Sequence, residues 1–190
     1  MRTESPSQNQ RAKATYGIVP NLFQELGAYT SMPSAVYMDA DDALTGCVLP
    51  PAEQQVVLLE LARSHHSAYD AVIHARIALD AGLPPETIDQ LLAGEPAADD
   101  RIAALVAATR LSCENRGWLG DSTLDALAER GIGRGELYEI FALIGMKTFT
   151  SFTDHLAELE IDDPLQSLRD RLDHLPDEPE TLERQRLFVG

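Results

Sequence analysis

Cysteine is scarce in this chain: its 190 residues include two, Cys47 and Cys113, each without a second Cys or a His nearby in sequence. That spacing gives no disulfide framework and no zinc signature, and each thiol reads as a small buried side chain. Basic residues are also few. Fifteen Lys and Arg stand against 31 Asp and Glu, for a net charge of −16 and a pI near 4.5. Phosphate neutralisation needs clustered cations, so a nucleic-acid partner is disfavoured. No apolar run approaches the roughly 20 residues of a membrane helix, and the start MRTESPSQNQRAKATYG lacks the apolar stretch of a secretory signal. A cytoplasmic protein without a membrane partner is the expectation. A glycine-rich phosphate loop, a Gly-x-Ser-x-Gly elbow and strand-like alternation are missing as well.

What is present is helical punctuation around a 44% hydrophobic composition. Pro20 opens a helix at Asn21, Pro33 opens Ser34 to Leu44, and Pro50-Pro51 precedes the run Gln55 to Arg63. That run is apolar on nearly every face, which predicts a buried central helix. Ser67 is a suitable N-cap for a helix reaching Ala81, with Gly82 as its left-handed stop. Pro84-Pro85 restarts a helix that ends near Gly94. Asp99 or Asp100 caps Ile102 to Ala108, Asp121 or Ser122 caps Leu124 to Glu129, and a long helix runs through Phe141, Met146, Phe149 and Leu156. The aromatic and Met positions of that long helix are core or subunit interface. The segments around Gly82 and Gly131 echo one another, each a helix, a glycine stop and another helix. The expectation is one all-α domain over residues 16–175, a tail at 1–15 and a charged tail at 176–190.

Candidate chemistry gathers between Glu60 and His74. Asp70 and His74 are four apart on one predicted helix face, where a carboxylate can orient an imidazole for proton transfer. Equally, Asp70 near a helix start offsets the macrodipole and His74 is an ordinary side chain. Glu60 interrupts an aliphatic run, where a buried carboxylate needs a partner. Arg63 or His65 supplies one on a solvated edge; in an antiparallel hairpin, His74 is another candidate. His65, His66 and His74 do not have metal-ligand spacing, and no metal or other cofactor is expected.

The stretch from Leu49 to Arg63, then Ser67-Ala68-Tyr69-Asp70-Ala71-Val72-Ile73-His74, then Ala81-Gly82-Leu83, resembles the alkylhydroperoxidase D-like and carboxymuconolactone decarboxylase superfamily. Upstream, Gly17 to Phe23 shares the resemblance. It implies an all-α helical bundle built from hairpins and a homo-oligomer, a trimer or hexamer, with a dimer as the smaller alternative. In the peroxidase branch a Cys-x-x-Cys pair precedes a His; the corresponding positions here are Ser67, Asp70 and His74. A serine hydroxyl can neither close a disulfide nor act as a dithiol reductant. The branch's upstream Glu falls near Gln55, with Glu53 or Glu60 as substitutes after a small register change. The decarboxylase branch uses no cysteines and implies an acid–base group with cationic recognition of a diacid, for which Arg63 and Arg76 are the nearest candidates. The resemblance therefore implies acid–base chemistry on a small organic molecule, possible lyase activity of the decarboxylase type included. His74, Asp70 and Glu60 would be catalytic, and Ser67, Tyr69 and His66 would bind substrate. A silent oligomeric or ligand-binding protein is the alternative, and peroxidase activity through Cys113 or Cys47 ranks third.

Overall fold

The structure, a computed structural model, describes residues 7–177. Among these residues there are ten α-helices, two 3-10 turns and no strand, so the all-α expectation holds. Helix α4 (Pro51–Ser64) is the centre. Nine consecutive residues, Gln54 to Ala62, are buried on it, because α5 (Ala68–Asp80), α6 (Pro85–Ala93), α7 (Asp100–Glu114) and α9 (Arg134–Ala157) surround it. An all-round apolar sequence thus finds an all-round apolar environment. Glu53 of α4 and Arg101 of α7 fix one side of this packing through a forked pair at 2.6 Å, and Arg101 also donates to the carbonyl of Gly131.

Local signals set the ends. Ser67 caps α5 by accepting from the Asp70 amide at 3.0 Å, and Asp99 caps α7 by accepting from Ile102. Gly82 (φ 90°) and Gly131 (φ 79°) close the two echoing hairpins with the same bonds: the next residue donates five positions back, Leu83 to Ala78 and Ile132 to Leu127. For α8 (Asp121–Glu129), the N-cap is Gly120 and not Asp121 or Ser122. Asp121 lies in the first turn, where its charge faces the helix dipole.

The N-terminal tail expectation is corrected. Residues 8–16 form α1 (Gln8–Tyr16), opened by a capping box between Ser7 and Gln10, and Ala12 is fully buried against the helices that follow, α2 (Asn21–Tyr29) and α3 (Met32–Ala43). Tyr16 stacks on Phe23, whose ring meets Tyr37 edge-on. Residues 1–6 and 178–190, most of the expected C-terminal tail, lie outside the described residues. The three N-terminal helices and the central α4–α5 hairpin enclose a cavity of about 740 Å³, whose wall also takes in residues of α9. Among the described residues no helix is long and apolar enough to cross a membrane.

Candidate functional site

The cavity's polar chemistry begins at a seam between α5 and α9. On α9 the buried stripe starts apolar, Leu137, Ile140 and Leu143, then turns polar with Lys147, Thr150, Ser151 and Asp154. These face the start of α5. Lys147 Nζ lies 2.7 Å from Asp70 Oδ1, with the two side chains 1% and 3% exposed. Thr150 and Ser151 donate to the other oxygen of Asp70 at 3.0 and 2.8 Å. Ser67 donates to Asp154 at 2.7 Å while capping α5. Burial works against the Asp70 charge, yet Lys147, His74 and the Lys147 and Ser151 hydrogen bonds outweigh it, holding the carboxyl below the usual carboxylate range. Burial also lowers the Lys147 ammonium from its ordinary value, against the pull of Asp70.

His74 lies one turn along α5, on the cavity wall. Its Nδ1 is 2.9 Å from the side-chain amide oxygen, Oε1, of Gln55 on α4. With Oε1 as the acceptor, Nδ1 carries the proton and the Nε2 lone pair is bare. That Nε2 is buried and has no hydrogen-bond partner. Burial pushes the imidazole well below its usual pKa, and the Lys147 charge adds to the effect despite Asp70. At neutral pH the ring is an uncharged acceptor on a residue of the cavity lining, and its Nε2 is unsatisfied and shielded from bulk water.

The residues singled out in the sequence separate into three places. Asp70, His74, Tyr69 and Gln55 line the cavity. Asp70 is not the orienter of His74, because its two oxygens are filled from α9; Gln55 takes that role. Tyr69 uses its hydroxyl structurally, donating to Asp162 at 2.8 Å and accepting from the Leu22 amide. Glu60 does not join His74. Arg63 and Arg110 grip both of its oxygens, at 2.6 and 2.7 Å in the shortest bonds, so this carboxylate ties α4 to α7. Of the partners weighed for it, Arg63 is present and His65 is not. His65 instead places Nδ1 3.2 Å from Ser151. His66 occupies the left-handed turn position between α4 and α5 (φ 59°), with Nδ1 3.2 Å from the Asp177 carbonyl, outside the cavity.

Arg63 is likewise spent on Glu60. Arg76 reaches the cavity edge but is 58% exposed and paired with Asp80. Cys47 and Cys113 do not line the cavity, and burial pushes both thiols up, with Glu139 beside Cys47 and Glu60 and Glu114 near Cys113. Among the described residues no group of three or more His, Cys, Asp or Glu side chains is placed to hold a metal. Sequence reasoning missed Lys147, Thr150 and Ser151. The available signal was a lone lysine in the apolar and aromatic stripe of α9.

No family model and no curated protein matches the sequence. Several solved structures share the architecture, two of them as follows. One is the alkylhydroperoxidase AhpD core of an uncharacterized peroxidase-related protein from Ralstonia eutropha JMP134, with a TM-score of 0.74 at 17% identity over 83% of this chain and 85% of that one. The other is an uncharacterized peroxidase-related protein from Silicibacter sp. TM1040, with a TM-score of 0.69 at 13% identity over 83% and 84% of the two chains.

Proposed function

We propose that this chain, which has the alkylhydroperoxidase D-like fold and in which the sequence resemblance puts Ser67 and Asp70 where the thiol pair would be, performs acid–base chemistry on a small organic molecule in the cavity, with His74 as the proton-transfer group. The observation that carries the reading is the buried, unpartnered Nε2 of His74 on the cavity wall, with Nδ1 pinned by Gln55. A base works when its lone pair is free, correctly aimed and shielded from competing water. Gln55 keeps it aimed, and the desolvation that lowers its pKa keeps it unprotonated at neutral pH.

The charges favour a neutral substrate over a cyclic diacid. The Asp70–Lys147 pair sums to zero, Arg76 is matched by Asp80, and Asp41 adds an acid to the lining. A dianion entering this wall meets no surplus cation. The decarboxylase reading is therefore the weaker form of the acid–base proposal. Homo-oligomerisation belongs to the same reading, supported by Trp118 and Leu156 at 87% and 89% exposure; sedimentation analysis tests it.

The experiment is solvent-deuterium exchange. Small molecules found to bind by thermal shift are incubated with the protein in D₂O, and loss of their acidic C–H signals is followed by NMR. Exchange that depends on the wild type and disappears in His74→Ala supports the proposal; equal exchange in both proteins contradicts it. The silent-binding alternative predicts bound ligands with no exchange in either. A parallel assay of hydroperoxide consumption with a dithiol donor is expected to show none above background. Turnover lost on replacing Cys47 and Cys113 by serine would restore the thiol reading.

A further inference from the structure

The chain contains two lysines, Lys13 and Lys147, against thirteen arginines. Every other ion pair among the described residues uses arginine as its cation. The exception is the most deeply buried pair, Lys147 with Asp70. The difference is chemical. An arginine fork grips a carboxylate with two hydrogen bonds and stays protonated, whereas a lysine is a compact amine that burial can deprotonate and turn into a nucleophile. If the seam between α5 and α9 needed only a cation, arginine would serve it as it serves Glu53 and Glu60.

Lys147 also has the surroundings of a reacting amine. It lines the same cavity as His74, whose bare Nε2 can take up a proton. Of the three N–H bonds of its ammonium, Asp70 accepts one. Thr150 and Ser151 hold the second oxygen of Asp70, so the carboxylate stays in place while the amine changes.

We infer that Lys147 is a carbonyl-capturing amine, which forms a protonated Schiff base with a small aldehyde or ketone admitted to the cavity, with Asp70 as the counter-ion. This names the substrate class of the site proposed above, and it rests on that reading for the proton shuttle. The Lys147 ammonium passes a proton to His74 Nε2 through a water admitted to the cavity, since the two nitrogens are not hydrogen-bonded to each other. The freed lone pair attacks the carbonyl carbon, the C–N bond forms, and the π pair moves to oxygen, which takes a proton from nitrogen to give a neutral carbinolamine. His74 returns its proton to that hydroxyl, the C–O bond breaks, water leaves, and the nitrogen lone pair closes the C=N bond. In sum, R₂C=O and Lys–NH₃⁺ give R₂C=NH⁺–Lys and H₂O. No oxidant or reductant is required. One positive charge stands beside Asp70 before and after, so the capture places no new uncompensated charge in the interior.

The test uses the full-length chain with benzaldehyde as the probe and sodium cyanoborohydride to reduce any iminium to a stable benzyl amine, followed by peptide mass spectrometry. With Lys13 and the N-terminal amine as the competing groups, the background is small, and Lys13→Arg removes the exposed lysine. Burial lowers the Lys147 ammonium from its ordinary value and so raises its free-amine fraction, and Lys147 is expected to be labelled faster than Lys13. Label confined to Lys13 and the N-terminus, or reaching Lys147 only after denaturation, overturns the inference. The two readings separate in His74→Gln. Lys147 labelled at the wild-type rate in that variant keeps the capture and removes the shuttle. A wild type that never labels at Lys147, yet exchanges ligand protons through His74, removes the capture and keeps the acid–base site.

Discussion

Replacing Lys147 by Met tests the polar seam most severely. Methionine has a similar length without the charge, so the substitution leaves Asp70, 3% exposed, facing a thioether. Removing one member of a buried ion pair costs about 3–5 kcal/mol, because the remaining charge stays desolvated. Thr150 and Ser151 still donate to Asp70, which places the expected loss at the lower end, about 3 kcal/mol. For a domain of this size that corresponds to a fall in Tm of about 6–12 °C. The companion Asp70→Leu/Lys147→Met protein removes both charges. It takes the Asp70 acceptor from Thr150 and Ser151, at up to about 1 kcal/mol each with Thr150 keeping the Lys147 carbonyl, so the double variant should lie nearer the wild type than Lys147→Met does. The coupling between the two sites should then be at least about 2 kcal/mol. Urea denaturation followed by circular dichroism, at neutral pH and with unchanged m-values, measures all four corners of the cycle. Below about pH 4 the gap should narrow, because Asp70, whose folded pKa is depressed, contributes stability that is lost as pH falls through that folded value. A Lys147→Met protein within about 1 kcal/mol of the wild type, or a double variant worse than the sum of the singles, refutes the reasoning.

Glu60→Gln should destabilise by about 2 kcal/mol while leaving ligand binding in the cavity unchanged, because Glu60 clamps Arg63 and Arg110 away from it; thermal melts and a binding titration read the two effects. His66→Gly should stabilise by up to about 1 kcal/mol, since a non-glycine residue is held at φ 59°; lost ligand binding in that variant would revive a substrate role for His66. The wild type should lose stability as pH falls below the ordinary histidine value of 6.5, because unfolded His74 takes up a proton at higher pH than the folded ring does. His65, also lowered by burial, adds to this with the same sign. His74→Gln should flatten the slope by up to about 1.4 kcal/mol per pH unit in urea titrations between about pH 7 and 5, and an unchanged slope would show that folded His74 titrates normally.

The helices were legible because their signals are local. Prolines at first turns, Ser67 and Asp99 as caps and the two left-handed glycines act within four or five residues, and α4 announced its burial by having no polar face. Residues 8–16 were not, since α1 is mostly polar, with Ala12, Ala14 and Tyr16 its apolar positions, and takes its place by packing on Phe23 and Met38. At the site, the spacing of Asp70 and His74 put both on one face of a helix, and both line the cavity, but it did not reveal their partners. An i, i+4 pair shares a face whether or not the two side chains bond. Here stronger partners arrive from elsewhere, Lys147 from 77 residues away and Gln55 from 19. Glu60 shows the converse: the sequence exposed a buried charge in need of a partner, and Arg110, 50 residues on, joined Arg63 in supplying it. Long-range pairing of this kind is set by helix packing and leaves no local trace.

The central claim is that His74 offers the cavity an unprotonated Nε2, and long-range ¹H–¹⁵N correlation spectra of the histidine side chains test it most directly. Assigned through His74→Gln, the ring is expected to show the Nδ1–H tautomer with a bare Nε2 at neutral pH, and to keep it well below pH 6.5. A proton on Nε2, or an ordinary titration near 6.5, would contradict the account.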